Sequence, residues 1–151
     1  MQQWQSVDDV LDFAIEREQE AADFYGDLAD QMEREYMKEV FQGFAREEMG
    51  HKARLTAIKD GKLLASAAKQ IIDLKIGDYL VANEPTENME YQDALILAMK
   101  KEKSAFRLYS DLGNRIEDAS LRETFLSLAQ EEAKHKLRFE VEYDEHFLTE
   151  N

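Results

Sequence analysis

No cysteine occurs anywhere in the 151 residues, an absence that excludes disulfides, thiolate zinc sites and iron-sulfur clusters. The paired Cys-x-x-Cys knuckles of an iron-thiolate electron-transfer module are missing with them. Any redox chemistry in this sequence must use oxygen and nitrogen ligands. Proline occurs once and glycine six times, too little punctuation for the many turns of a β-rich fold. No segment approaches the ~18 apolar residues of a membrane helix. The opening Met1-Gln2-Gln3-Trp4-Gln5-Ser6 has neither the basic region nor the apolar stretch of a targeting peptide. These absences predict a soluble, cytoplasmic protein. Positive charge is scarce too: 19 Lys and Arg face 33 Asp and Glu, a formal net charge of −14 that repels nucleic acid and anionic membrane surfaces. A chain of this length is expected to form a single domain whose core needs no covalent staple.

What the sequence does contain is a duplication. Leu11, Ala14, Glu18, Ala21, Tyr25 and Leu28 recur every three or four positions and share one helix face. Adding 84 to each number gives Leu95, Ala98, Glu102, Ala105, Tyr109 and Leu112, the same six residue types. A second pair of seams behaves alike: Met37, Phe41, Phe44, Glu48, His51, Leu55 and Ile58 correspond to Leu121, Phe125, Leu128, Glu132, His135, Phe139 and Glu142. Each apolar stripe is polar at its centre, where burial of a charge is most costly.

Helix signals place these seams. Ser6 with Asp9 three residues on is an N-cap pattern, and Asp8 and Asp9 complement the dipole of a first helix running to about Met32. A second helix is predicted over about Tyr36 to Asp60, with Gly61 taking the left-handed conformation that ends it. Residues 61–90 carry no counterpart of either polar motif and read as a long crossover, with Ile71, Ile72, Leu74, Ile76, Tyr79 and Leu80 as apolar contacts. After Asn83-Glu84-Pro85-Thr86 a third helix starts near Met89 to Tyr91 and turns near Gly113-Asn114; a fourth runs from about Asp118 to His146. The expected fold is all-α: an antiparallel four-helix bundle of two repeated hairpins, about 6–60 and about 91–146, joined by the crossover.

The repeat also selects among many acids. Glu16, Glu18 and Glu20 have the counterparts Lys100, Glu102 and Ser104, so only Glu18 repeats. Of the doublets Glu47-Glu48 and Glu131-Glu132, the second member lies three residues before a histidine on the apolar stripe. Two of only three histidines occupy this motif; His146 lies outside it. Glu18, Glu48, His51, Glu102, Glu132 and His135 are thus candidate metal ligands. Four carboxylates and two neutral imidazoles balance two dications and suit iron or manganese. Ala14, Ala21, Ala98 and Ala105 would leave room beside them.

At Glu18-x-x-Ala21-x-x-x-Tyr25, Glu47-Glu48-x-x-His51, Glu102-x-x-Ala105-x-x-x-Tyr109 and Glu131-Glu132-x-x-His135 the chain resembles the ferritin-like superfamily, and more closely its rubrerythrin-like branch. The resemblance implies a ferritin-like bundle and a carboxylate-bridged di-iron centre reacting with peroxide or dioxygen. Those six residues would be its ligands, with Tyr25 and Tyr109 hydrogen-bonded to ligand carboxylates or simply filling the core. Two departures stand out. The family's best-known members carry a further glutamate three residues after the third-helix ligand, where this chain has Ala105. They also often append the iron-thiolate domain absent here, so electrons would come from a separate, rubredoxin-type donor. Met49 sits where the similar bacterioferritins place a haem-ligating methionine, although packing is the commoner use of the residue.

The expected function is a rubrerythrin-like di-iron peroxidase acting as a homodimer, with the crossover long enough for two chains to exchange hairpins. The alternatives are a ferroxidase or iron-storage protein, and a metal-stabilised helical module without turnover.

Overall fold

The computed structural model describes residues 3–81, 85 and 89–148. Asn83, Glu84 and Thr86, in the break expected before the third long helix, lie outside them, as do Met1 and Gln2. Among the described residues there is no strand, and no helix is long and apolar enough to cross a membrane. The described residues form five α-helices in order: α1 Val7–Gln31, α2 Glu35–Asp60, α3 Ala68–Ile72, α4 Tyr91–Asn114 and α5 Ala119–Tyr143. They fall into two compact units, Gln3–Asp73 and Leu74–Asn151, the second described to residue 148.

In the first unit, the Ser6 hydroxyl accepts the Asp9 N–H at 3.1 Å, capping α1 as its sequence predicts. Three residues, 32–34, then reverse the chain, so α1 and α2 form an antiparallel hairpin. Leu11, Ala14, Tyr25 and Leu28 of α1 and Met37, Phe41, Leu55 and Ile58 of α2 are buried along the predicted seams. Ile71 of α3 adds to this core, and Trp4 sets its ring edge-on to Phe13 at 5.5 Å between centroids.

The end of α2 differs from expectation. Gly61 stays right-handed at φ −81°, and the left-handed residue is Lys62 at φ 53°. The hydrogen bonds explain the shift: Leu63 N–H reaches Ile58 O at 3.1 Å and Lys62 N–H reaches Lys59 O at 3.0 Å. This is a Schellman closure in which Gly61 is still the cap residue and the strained position falls one later. A Cβ in the left-handed region costs about 1–2 kcal/mol, of which glycine's greater freedom in the unfolded chain returns a part. Lys62→Gly is expected to stabilise the protein by about 0.5–1 kcal/mol, read as a rise of about 1–4 °C in Tm.

In the second unit, α4 and α5 form the matching hairpin, with Asp118 capping α5 by accepting the Leu121 N–H at 2.9 Å. Leu95, Ala98, Tyr109 and Leu112 of α4 and Phe125, Leu128 and Phe139 of α5 are buried. Three seam positions, Ala105, Phe44 and Leu121, are only half-buried. Regular α5 ends at Tyr143, and a single π turn, Asp144–Leu148, carries the chain past His146.

Before α4 a short 3₁₀ turn, Ile76–Tyr79, is fastened to that helix. The buried Tyr79 hydroxyl donates to Asp111 Oδ2 at 2.6 Å, the Ser104 hydroxyl donates to the Tyr79 carbonyl at 2.5 Å, and Arg107 approaches Asp78. Ile71, Leu74 and Tyr79 supply the burial expected of this stretch, Ile72 and Ile76 less of it, whereas Leu80 is exposed. Leu80 has extended backbone (φ −81°, ψ 141°), in which successive side chains point to opposite sides, so it faces outward next to the buried Tyr79. Burial and the Asp111 carboxylate push the Tyr79 phenol well above the ordinary tyrosine range. A raised value means that the contact's stability is fully present below pH ~10 and is lost as pH rises toward the folded-state value. Tyr79→Phe should cost about 1–2 kcal/mol at neutral pH. It should also flatten the loss of stability above pH ~10; urea melts at both pH values measure each effect.

Candidate metal centre

Helical spacing puts the polar residues of each hairpin on one inward face. In the first unit Glu18 comes from α1, and Glu48 and His51, three apart, come from α2. All three are 1% exposed, a degree of burial that glutamate almost never shows without partners. His51 Nδ1 lies 3.3 Å from Glu18 Oε2 and 3.4 Å from Glu48 Oε1. The second unit repeats the arrangement with Glu102 from α4 and Glu132 and His135 from α5. There His135 Nδ1 lies 3.3 Å from Glu102 Oε2 and 3.6 Å from Glu132 Oε1, and the three residues are 1%, 0% and 3% exposed. Within each triad one ligand atom from every residue lies within 4.8 Å of the others.

These separations fit donors around an ion. Nitrogen and oxygen ligands sit about 2.0–2.2 Å from a divalent ion, which places neighbouring donors roughly 3.0–3.5 Å apart. A charge-assisted N–H···O bond would instead draw imidazole and carboxylate to about 2.7–2.9 Å. One Nδ1 facing two carboxylates at nearly equal, longer distances is the pattern of ligands. Each triad offers two carboxylates and an imidazole, so one dication per triad balances its formal charge. The residues present therefore fit a metal ion of the oxygen- and nitrogen-preferring kind.

The neighbouring acids do not share this face. Glu16 and Glu20 point outward and flank Arg17, the latter bonded to it at 2.9 Å. Glu47 is exposed and Glu131 half-buried. Tyr25 and Tyr109 are buried at 0% and 1%, seven residues beyond Glu18 and Glu102 on the same stripes. Met49 is 43% exposed, on the side of α2 away from the Glu48 and His51 stripe. His146 lies outside both triads, its ring edge-on to Tyr91 at 5.3 Å. One buried carboxylate went unassigned by sequence reasoning. Glu142, 3% exposed, accepts the Tyr91 hydroxyl at 2.9 Å. The repeat held the signal, because the counterparts of Tyr91 and Glu142 are Val7 and Ile58.

Helical hairpins that each bury a glutamate beside a Glu-x-x-His pair define a carboxylate-histidine metal protein of all-α architecture. The rubrerythrin family model matches residues 9–92 and 93–151, and the chain belongs to that family. A crystal structure of a Thermotoga maritima protein described as a ferritin-like diiron-carboxylate protein is similar in fold. It matches with a TM-score of 0.78 and 20% identity over 96% of this chain and 99% of that one. The fold is thus the ferritin-like one. Comparison with curated proteins gives no match.

Proposed function

We propose that the protein is a di-iron peroxidase that reduces hydrogen peroxide to water in the cytoplasm, with one iron held by each triad. The observation that carries this reading is the duplicated set of buried donors, Glu18, Glu48 and His51 and Glu102, Glu132 and His135, within family-typical motifs. Bound iron supplies the electrons that peroxide reduction consumes. The protein's own residues do the rest. Four carboxylates hold the positive charge, and the two histidines must be deprotonated at Nδ1 to serve as ligands. Ala14, Phe41, Ala98 and Phe125, all buried, keep bulk water from the donors. Tyr25 and Tyr109 steady the ligand carboxylates through their hydroxyls. Ala105 offers no carboxyl where relatives carry one, so no ligand exchange at that position accompanies turnover.

The electrons come from a separate donor of the rubredoxin type. The working unit is a homodimer, with hairpins exchanged between chains if chelation loosens it on size exclusion. Protein verified to hold two irons, supplied with peroxide and a reductant, should consume peroxide faster than the same amount of free iron. Equal rates would overturn the peroxidase reading.

The net charge of −14 favours a second reading, because an acidic exterior gathers cations for ferrous oxidation and storage. Sedimentation separates the two, since storage by the shell route needs a many-subunit hollow assembly and the peroxidase does not. Manganese in protein purified without added metal, or metal binding with no turnover, would point to a manganese enzyme or to a metal-stabilised helical module.

A further inference from the structure

We infer that Tyr91 and Glu142 form a redox relay in which Tyr91 gives up an electron and Glu142 takes its proton; the direction of electron flow rests on the peroxidase reading above. Both residues belong to the second unit, Tyr91 opening α4 and Glu142 closing α5. The Tyr91 hydroxyl donates to Glu142 Oε1 at 2.9 Å, so the phenol already points its proton at a carboxylate. Glu142 is 3% exposed, while Tyr91 is only half-buried and open to a reductant in solution.

Position along the seam gives the pair its use. Glu142 follows His135 by seven residues, two turns along the same face and about 10 Å of helix. Between them lies Phe139, fully buried, with Leu95 and Ala98 buried on the facing side of the α4 seam. Apolar side chains of this thickness pass an electron, whereas the side chains of Phe139, Leu95 and Ala98 have no group that could relay a proton. A phenol oxidised across such a barrier needs its own base, and Glu142 is that base.

The repeat supplies an internal control for the alternative that the pair merely packs. At the equivalent end of the first hairpin the two positions are Val7 and Ile58, with Ile58 buried. An apolar pair closes that hairpin without a buried acid, and swapping a buried polar pair for apolar residues is often neutral or stabilising. The second hairpin carries a polar pair that packing alone does not demand.

The step balances. The Tyr91 O–H bond breaks, the proton moves to Glu142, and the electron leaves toward the triads, where bound iron oxidised by peroxide would accept it. One electron from the external donor and the returning proton then restore the phenol.

The test oxidises the zinc-loaded protein with a photogenerated ruthenium(III) tris-bipyridine complex and follows tyrosyl formation by transient absorption and EPR. A fast phase is expected, alongside a slow phase from the other phenols such as the exposed Tyr36. Tyr91→Phe should reduce the fast phase at least tenfold. Glu142→Gln should slow it at least tenfold and abolish its solvent isotope effect. An unchanged fast phase in either variant would overturn the proposal. The double variant Tyr91→Val, Glu142→Ile, which installs the first hairpin's pair, should fold and bind two zinc ions yet lack the fast phase. Its collapse would return the pair to packing and overturn the relay. The di-iron protein treated with peroxide should give the same Tyr91-dependent radical. A radical after the flash but not after peroxide would support the relay and overturn the peroxidase reading.

Discussion

Removing the metal is expected to lower the melting temperature by about 10 °C or more. A ligand that binds only the folded state stabilises it by about 4 kcal/mol when present at a thousand times its Kd. In a domain of this size each kcal/mol moves Tm by roughly 2–4 °C, and there are two triads to fill. The physical origin is the burial of Glu18, Glu48, Glu102 and Glu132, none more than 1% exposed. Without cations, each pair of carboxylates sits in a dry site with no bound charge to offset the cost of burial. Circular-dichroism melts before chelation, after it and after metal is restored measure the effect, and an unchanged Tm would remove the case for buried ions.

Glu48→Leu should act with opposite sign on the two forms of the protein. In the metal-loaded form it removes a ligand from the first triad; bound metal should fall from two ions per chain to one, and Tm should drop. In the metal-free form the same change replaces a buried acid by a hydrocarbon of similar size, and stability should rise by about 1–4 kcal/mol. Its neighbour Glu47 is exposed, so Glu47→Ala is expected to stay within about 0.5 kcal/mol in both forms. Melts of the loaded and stripped variants, with metal counted by elemental analysis, distinguish this from an ordinary core mutation, which would shift both forms the same way. A fall in both forms would mean that Glu48 holds the helices together rather than the metal.

Most of the candidate site was legible because helical periodicity and an 84-residue repeat are both local, countable properties. Period alone left Glu16, Glu18 and Glu20 as rivals, and the repeat chose Glu18, the one of the three that the structure buries. The Glu-x-x-His spacing placed Glu48 and Glu132 inward, ahead of Glu47 and Glu131, because residues three apart share a helix face. Helix ends were readable where a side chain makes the cap, as at Ser6, and less so where the backbone does. Gly61 looked like the left-handed residue from its type, but the hydrogen bonds from Lys62 and Leu63 fixed that conformation one position later. The half-burial of Ala105 was likewise not readable, since pattern says which way a side chain points and not what lies over it.

Spacing within a few turns of one chain was enough to set the helices, their pairing into two hairpins and the six side chains that the structure buries. Tertiary structure alone decided what depends on segments far apart in sequence. It set the 3.3 Å approach of His51 to Glu18 and of His135 to Glu102, the fastening of Tyr79 on Asp111, and the 2.9 Å bond that joins Tyr91 to Glu142. The physical reason is that periodicity fixes direction about a helix axis, whereas distance between donors is set by how closely two helices pack and which rotamers that packing allows.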